Sequence, residues 1–192
     1  MTDQTARQDD GRYRGKHVLV IGSGSDLDGR AMQAAIDGGG FDVVARVNKL
    51  YGAPEDVGTR TDVLFTRWYS WLDNTEWVPD SLASSATIVV LNQHIGYSRT
   101  EYDWLCARIG HNAASAGAQA VDYFLNRGAA KVSIIGFGCR GGKFNRDKVY
   151  SGANTAHVPT RLTTEEGKDV NPTYDWHKER AWELSESRVT FL

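Results

Sequence analysis

The sequence predicts an α/β fold: a mostly parallel sheet with helices on both faces. Three observations lead there. Aliphatic runs such as Val18-Leu19-Val20-Ile21 and Ile88-Val89-Val90-Leu91 lack the polar alternation of a half-exposed strand, so both their faces are read as buried. Segments of helical period separate such runs, the arrangement that parallel strands need for their crossovers. The first run also opens onto a glycine-serine loop, a helix and a second strand, which together make a βαβ unit.

Each element follows in order. Residues 1–14 are polar and of mixed charge and read as a disordered lead-in, leaving 15–192 as a single domain. Val18 to Ile21 is the first strand, followed by the loop Gly22-Ser23-Gly24-Ser25-Asp26. Asp28 to Asp37 reads as a helix stopped by Gly38-Gly39-Gly40. Asp42 to Val47, Thr61 to Arg67 and Ala86 to Asn92 read as strands. Thr100 to Ile109 reads as a helix with Tyr102, Leu105 and Ile109 at core spacing. His111 to Asn126 reads as another, with Ala114, Ala118, Val121 and Leu125 on one stripe and Gly128 after its end. Lys131 to Phe137 is the next buried strand. Residues 138–175 are polar and glycine-rich, and a loop of that length in a compact domain usually serves function. His177 to Glu186 closes the chain as an amphipathic helix.

Composition removes several classes of function. A net charge of -2 gives no broad electrostatic grip on DNA or anionic lipid, although a local basic site remains compatible with it. The aliphatic runs are too short to span a bilayer, and residues 1–14 lack the apolar core of a secretory signal. Cys106 and Cys139 make neither a disulfide framework nor a zinc site of cysteines alone, which fits a reducing cytoplasm.

In open parallel sheets ligands bind beyond the carboxyl ends of the strands. The loops after Ile21, Val47, Leu91 and Phe137 are therefore the candidates. Gly22-Ser23-Gly24-Ser25 lets a backbone approach a phosphate, and serves equally as a tight strand-to-helix turn; it lacks the lysine of a P-loop. Asn48, just past a buried strand, suits a ribose or base edge, or caps a turn. Ser115-Ala116-Gly117 permits close approach of an anion, or only close helix-on-sheet packing. It feeds the strand that ends at Gly136-Phe137-Gly138.

In this order the segments resemble the sialyltransferases, glycosyltransferase family 29. Residues 16–66 resemble the long motif, with Val18 to Ser25, Arg46-Val47-Asn48, Asp56-Val57-Gly58 and Thr61. Residues 111–138 resemble the short motif, with Ser115-Ala116-Gly117 and a strand ending in Gly136-Phe137. Tyr174-Asp175-Trp176-His177-Lys178-Glu179 resembles the very short motif, His-Asp-aromatic-x-x-Glu.

The resemblance implies a Rossmann-like, GT-A-like fold and an inverting transfer from a nucleotide-sugar donor, a CMP-sugar, with no metal or other cofactor required. It implies that Ser23 and Asn48 contact the nucleotide, with Gly22, Gly24 and Ser25 in the same loop. It places Ser115 and Gly117 by the phosphate and ribose, and Gly136, Phe137 and Gly138 in the neighbouring loop. His157 is the candidate to steady the donor phosphate. The family's proton-accepting histidine opens the last motif, where this chain has Tyr174; His177, one helical turn on, is the candidate base because imidazole titrates near working pH. The family's paired cysteines are missing, with Ala129 near one position. With no anchor or stem either, the pattern fits a minimal bacterial or phage enzyme working in the bacterial cytoplasm or an infected cell. The acceptor is a glycan, a protein or a modified base, and no membrane partner is expected.

Other features keep two readings. Asp26-Leu27-Asp28 matches a metal-binding triplet and equally a helix cap. Arg140, Lys143, Arg146 and Lys148 suit a closing anion-binding loop or a solvated one. His94 suits an acceptor contact or a packed turn; His17 reads as structural; His111 opens a helix and suits a place near the site, without a distinguishing feature. Against the transferase reading stand a nucleotide-binding protein that has lost transfer, which Tyr174 favours, and a phage structural protein.

Overall fold

A computed structural model describes residues 10–22, 36, 39–47, 60–66, 85–91, 93–136 and 175–192, without the side chains of Trp176 and His177. Among these residues the elements are β1 (His17–Ile21), β2 (Val43–Val47), β3 (Val63–Thr66), β4 (Thr87–Val90), α1 (Arg99–Ile109), α2 (Ala116–Asn126), β5 (Lys131–Ile135), α3 (Trp176–Ser185) and β6 (Val189–Phe191). The strands form one sheet in the order β4-β3-β2-β1-β5-β6. Every neighbouring pair is parallel. The α/β architecture is as the aliphatic runs predict. The chain builds outward from β1 on one side, then returns to β1's other side with β5. The switch point therefore lies between β1 and β5.

Alternate strand residues face opposite sides, and two apolar cores result. The larger takes Val18 and Val20 of β1, Ala45, Phe65, Val132 and Ile134, under helices α1 to α3. The smaller takes Leu19, Ile21, Val44 and Ile135 with Phe41 and Ile36. Ile36 is helical and fully buried; the rest of the helix read at Asp28 to Asp37, with Gly38 after it, lies outside the described residues. α2 lies directly on β1, β2, β3 and β5. Its residues are buried almost all round because α1 packs over it.

Three sequence expectations are corrected. The helix read from His111 begins at Ala116, because Ser115 caps it: the Ser115 Oγ accepts the Ala118 amide at 3.1 Å. Ala114 is buried, as its place on the stripe required, but it precedes the helix. Residues 10–14 belong to the fold, since the Tyr13 ring is buried edge-on to Phe124 at 4.9 Å and its amide donates to Arg127 O. Lastly, β6 was not foreseen; it pairs Val189 with Val132 and Phe191 with Ile134.

α1 carries a full capping box: Ser98 Oγ accepts from the Glu101 amide, and the Glu101 carboxylate accepts from the Ser98 amide at 2.7 Å. Gly110 closes it at φ 71, a left-handed position that glycine adopts without steric cost. No helix among the described residues is long and apolar enough to cross a membrane.

A buried polar network joins these helices. The fully buried Asp122 accepts from Tyr97 Oη at 2.6 Å, from Asn126 Nδ2 at 2.8 Å and from the Arg108 guanidinium. Replacing Asp122 with alanine removes the acceptor of the buried Tyr97 phenol and of Asn126, and leaves the Arg108 guanidinium to Glu186 at 3.8 Å and the Trp182 ring. The expected loss is about 3–5 kcal/mol of unfolding free energy, read from urea midpoints. A loss below about 1 kcal/mol would contradict the network's role.

Candidate active site

The carboxyl ends of β2, β1 and β5 lie side by side, and three of the four loops singled out in the sequence leave from them; the fourth, after Leu91, leaves from the outermost strand β4. Ile21 is in register with Ile135 on one side and Arg46 on the other. Gly22 follows β1, and its amide donates to Ile135 O at 2.8 Å, so the first glycine loop starts locked to the end of β5. Gly136 follows β5 at φ 71, which turns the chain out of the sheet one residue before the predicted end of the strand at Phe137.

Arg46 is almost wholly buried, with Nε donating to Thr61 Oγ1 at 2.8 Å and Nη2 to Arg60 O at 3.3 Å. These two residues of the long-motif pattern therefore hold each other. Arg46 braces the end of β2 against the entry to β3, and its hydrogen bonds offset the cost of burying a cation.

A helix that feeds a parallel strand runs antiparallel to it, so α2 and α3 both start at this same edge. At the start of α2 the amides of Ala116 and Gly117 have no hydrogen-bond partner among the described residues, the usual condition of a helix N-terminus. The helix dipole adds positive potential there. Ser115 is buried, and its own amide donates to Glu179 Oε1 at 2.6 Å. Lys178 Nζ donates to Gly110 O at 2.9 Å. Two consecutive residues of α3's first turn thus fasten it to the loop 110–115. The backbone of His177 is next in line, in the same turn.

Glu183 sits one turn after Glu179 and is also buried. Burial, then the neighbouring Glu179 charge, push its carboxyl up to about 8, against which Arg180 at 4.0 Å acts weakly. Sequence reading missed Glu183. Its spacing of four from Glu179 was the available signal.

Of the predicted site residues, Gly22, Ser115, Gly117 and Gly136 are placed at this edge, with the backbone of His177. Ser23, Gly24, Ser25, Asn48, Phe137, Gly138, His157 and Tyr174 lie outside the described residues, as do Asp26 to Asp28 and the basic residues of 140–148. His17 lies at the opposite, amino edge. Its Nε2 is 2.9 Å from the buried Ser133 Oγ, and burial and then Lys131 lower its pKa. His94 stands at φ 54 in the tight turn where Ile95 bridges back to Val90, beyond the outermost strand β4.

No protein-family model matches this chain, and no curated protein matches it in sequence. Solved structures do. A mammalian sialyltransferase in complex with Gal-beta-1-3GalNAc-ortho-nitrophenol is similar with a TM-score of 0.53 at 18% identity, over 93% of this chain and 69% of that one. A second structure of a mammalian sialyltransferase gives 0.51 at 16% over the same shares. At that identity the similarity is one of fold, and this chain has a sialyltransferase-like α/β fold.

Proposed function

We propose that the chain is a glycosyltransferase that moves a sugar from a nucleotide-sugar donor, a CMP-sugar, to an acceptor hydroxyl by metal-independent, inverting displacement. The observation that carries this is convergence at one sheet edge. Gly22 after β1, Gly136 after β5 and the α2 amides that have no partner among the described residues lie at that edge, and α3's first turn is tied to it through Glu179 and Ser115. A donor phosphate beyond the switch point would meet helix-terminal amides, the usual anion site of such sheets.

In the proposed step the acceptor oxygen attacks the anomeric carbon as the bond from that carbon to the phosphate oxygen breaks. The proton leaves the acceptor for His177, and the electron pair leaves with the phosphate. Charge growing on the phosphate is met by the Ala116 and Gly117 amides, and by His157 through the family resemblance. Ser23 and Asn48 contact the nucleotide, with Gly22, Gly24 and Ser25 of the same loop and Gly136, Phe137 and Gly138 of the neighbouring one assigned to donor binding. The acceptor is a glycan, a protein or a modified base, and the setting is a bacterial or phage-infected cytoplasm.

A thermal-shift panel of CMP, UDP and GDP with their sugars tests the donor side. A nucleotide bound only by the folded chain raises the midpoint, by about 2.7 kcal/mol of stabilisation at a hundredfold excess over Kd. A shift with CMP above the others supports the reading. No shift with any nucleotide sinks it in favour of a structural protein, and a shift without turnover of any donor selects a binding protein that has lost transfer.

A further inference from the structure

We propose that His111 is a further residue of this site, donating from Nε2 to an oxygen of the donor's departing phosphate. The inference rests on the transferase reading and adds a residue that neither the glycine loops nor the motifs assign. His111 lies outside any helix, in the loop between Gly110 and Ser115. The two bonds that fasten α3's first turn land on either side of it, Lys178 Nζ on Gly110 O at 2.9 Å and Glu179 Oε1 on the Ser115 amide at 2.6 Å. His111 is thus bracketed by the start of α2 and the turn that carries His177.

Among the described residues its ring is held by one edge. Nδ1 lies 3.2 Å from the Ala113 amide and 3.0 Å from Ala113 O. A neutral ring protonated on Nε2 accepts from that amide, and a cationic ring donates to that carbonyl. In both states the Nε2–H remains a donor while Nδ1 keeps its anchor at Ala113. The residue is half-buried, which leaves it reachable.

The start of α2 offers donors to an oxyanion, against which the Glu179 carboxylate on the Ser115 amide acts. The Ala116 and Gly117 amides are unpaired among the described residues, and the Lys178 ammonium is adjacent. Both carboxylates of α3's start are engaged: Glu179 with the Ser115 amide, and Asp175 with the Lys178 amide at 3.1 Å and its ammonium at 3.8 Å.

Calorimetric titration of the full chain with CMP and with cytidine tests this, using two variants that divide the ring's functions. In His111→Asn the amide oxygen can replace Nδ1 at Ala113 and nothing replaces Nε2. In His111→Gln the amide nitrogen can replace the Nε2 donor. A hydrogen bond to a charged group corresponds to at least about a tenfold change in affinity. His111→Asn is therefore expected to weaken CMP about tenfold or more while cytidine is unchanged, and His111→Gln to recover most of the loss. Unchanged CMP affinity in His111→Asn overturns the proposal. So does equal weakening of CMP and cytidine, which marks a purely structural ring. If the unaltered chain binds no nucleotide, the transferase reading itself fails and takes this proposal with it.

Discussion

Replacing His177 with alanine is expected to lower transfer by about 10²–10⁴-fold, the usual worth of a positioned general base. The stabilisation by CMP should persist in that variant. The reason is division of labour at the sheet edge. On the proposed reading the donor is held by loop and helix-terminal amides, whereas His177 belongs to the first turn of α3. That turn is fixed independently by Lys178 on Gly110 and Glu179 on Ser115, so removing the imidazole should leave the donor side intact. Tyr174→Phe provides the control. A tyrosine hydroxyl titrates near 10 and makes a poor base at neutral pH. If Tyr174→Phe abolished transfer while His177→Ala kept it, the base would be assigned to Tyr174. If His177→Ala also lost the CMP shift, His177 would hold the donor or the fold.

Glu183→Gln is expected to stabilise the protein, and only above the acid range. An unfolded chain ionises Glu183 near its ordinary 4.5, whereas the folded chain holds the proton up to about 8. Below pH 4.5 both states are protonated and the residue costs nothing on this account. Between those values the unfolded state releases a proton that the native state keeps, so stability falls as pH rises. Above about 8 both states are ionised and the full cost stands, on the order of 5 kcal/mol for a shift of this size. A neutral isostere removes it. The midpoint difference between Glu183→Gln and the unaltered chain should be near zero at pH 4, grow to pH 8 and then level off. A difference independent of pH would mean that Glu183 is ionised in the fold, through Arg180. The same titration bears on the site. With Glu183 neutral, Glu179 holds the Ser115 amide without a second carboxylate charge one turn on; above pH 8 the two carboxylates repel.

The strands that carry the site were legible because parallel strands buried on both faces leave an aliphatic run, as in Val18 to Ile21 and Val43 to Val47. That legibility extends to Gly22 and Gly136, since the carboxyl-edge rule needs only the strands. β6 was hidden because three partly buried residues, Val189 to Phe191, carry no period to count. Tyr13 was hidden for a related reason: a single aromatic anchor amid charged residues has no pattern. The start of α2 was misplaced because Ala114 satisfies the apolar stripe whether or not it is helical, and only the Ser115 cap decides. The Glu179–Ser115 bond joins residues 64 apart in the chain. No local rule brings them together; the parallel topology does, by starting α2 and α3 at one edge. The buried role of Arg46 follows likewise from its register beside Ile21 and its reach to Thr61.

The central claim is that one donor site is built where β1, β5 and the start of α2 meet. Amide spectra of the ¹⁵N-labelled chain titrated with CMP test it most directly. The account predicts that Gly22, Ala116, Gly117 and Gly136 shift together with one saturation curve, while His17 and Lys131 at the amino edge stay still. Shifts confined to the amino edge, or a Gly22 response unaccompanied by Gly117, would contradict it.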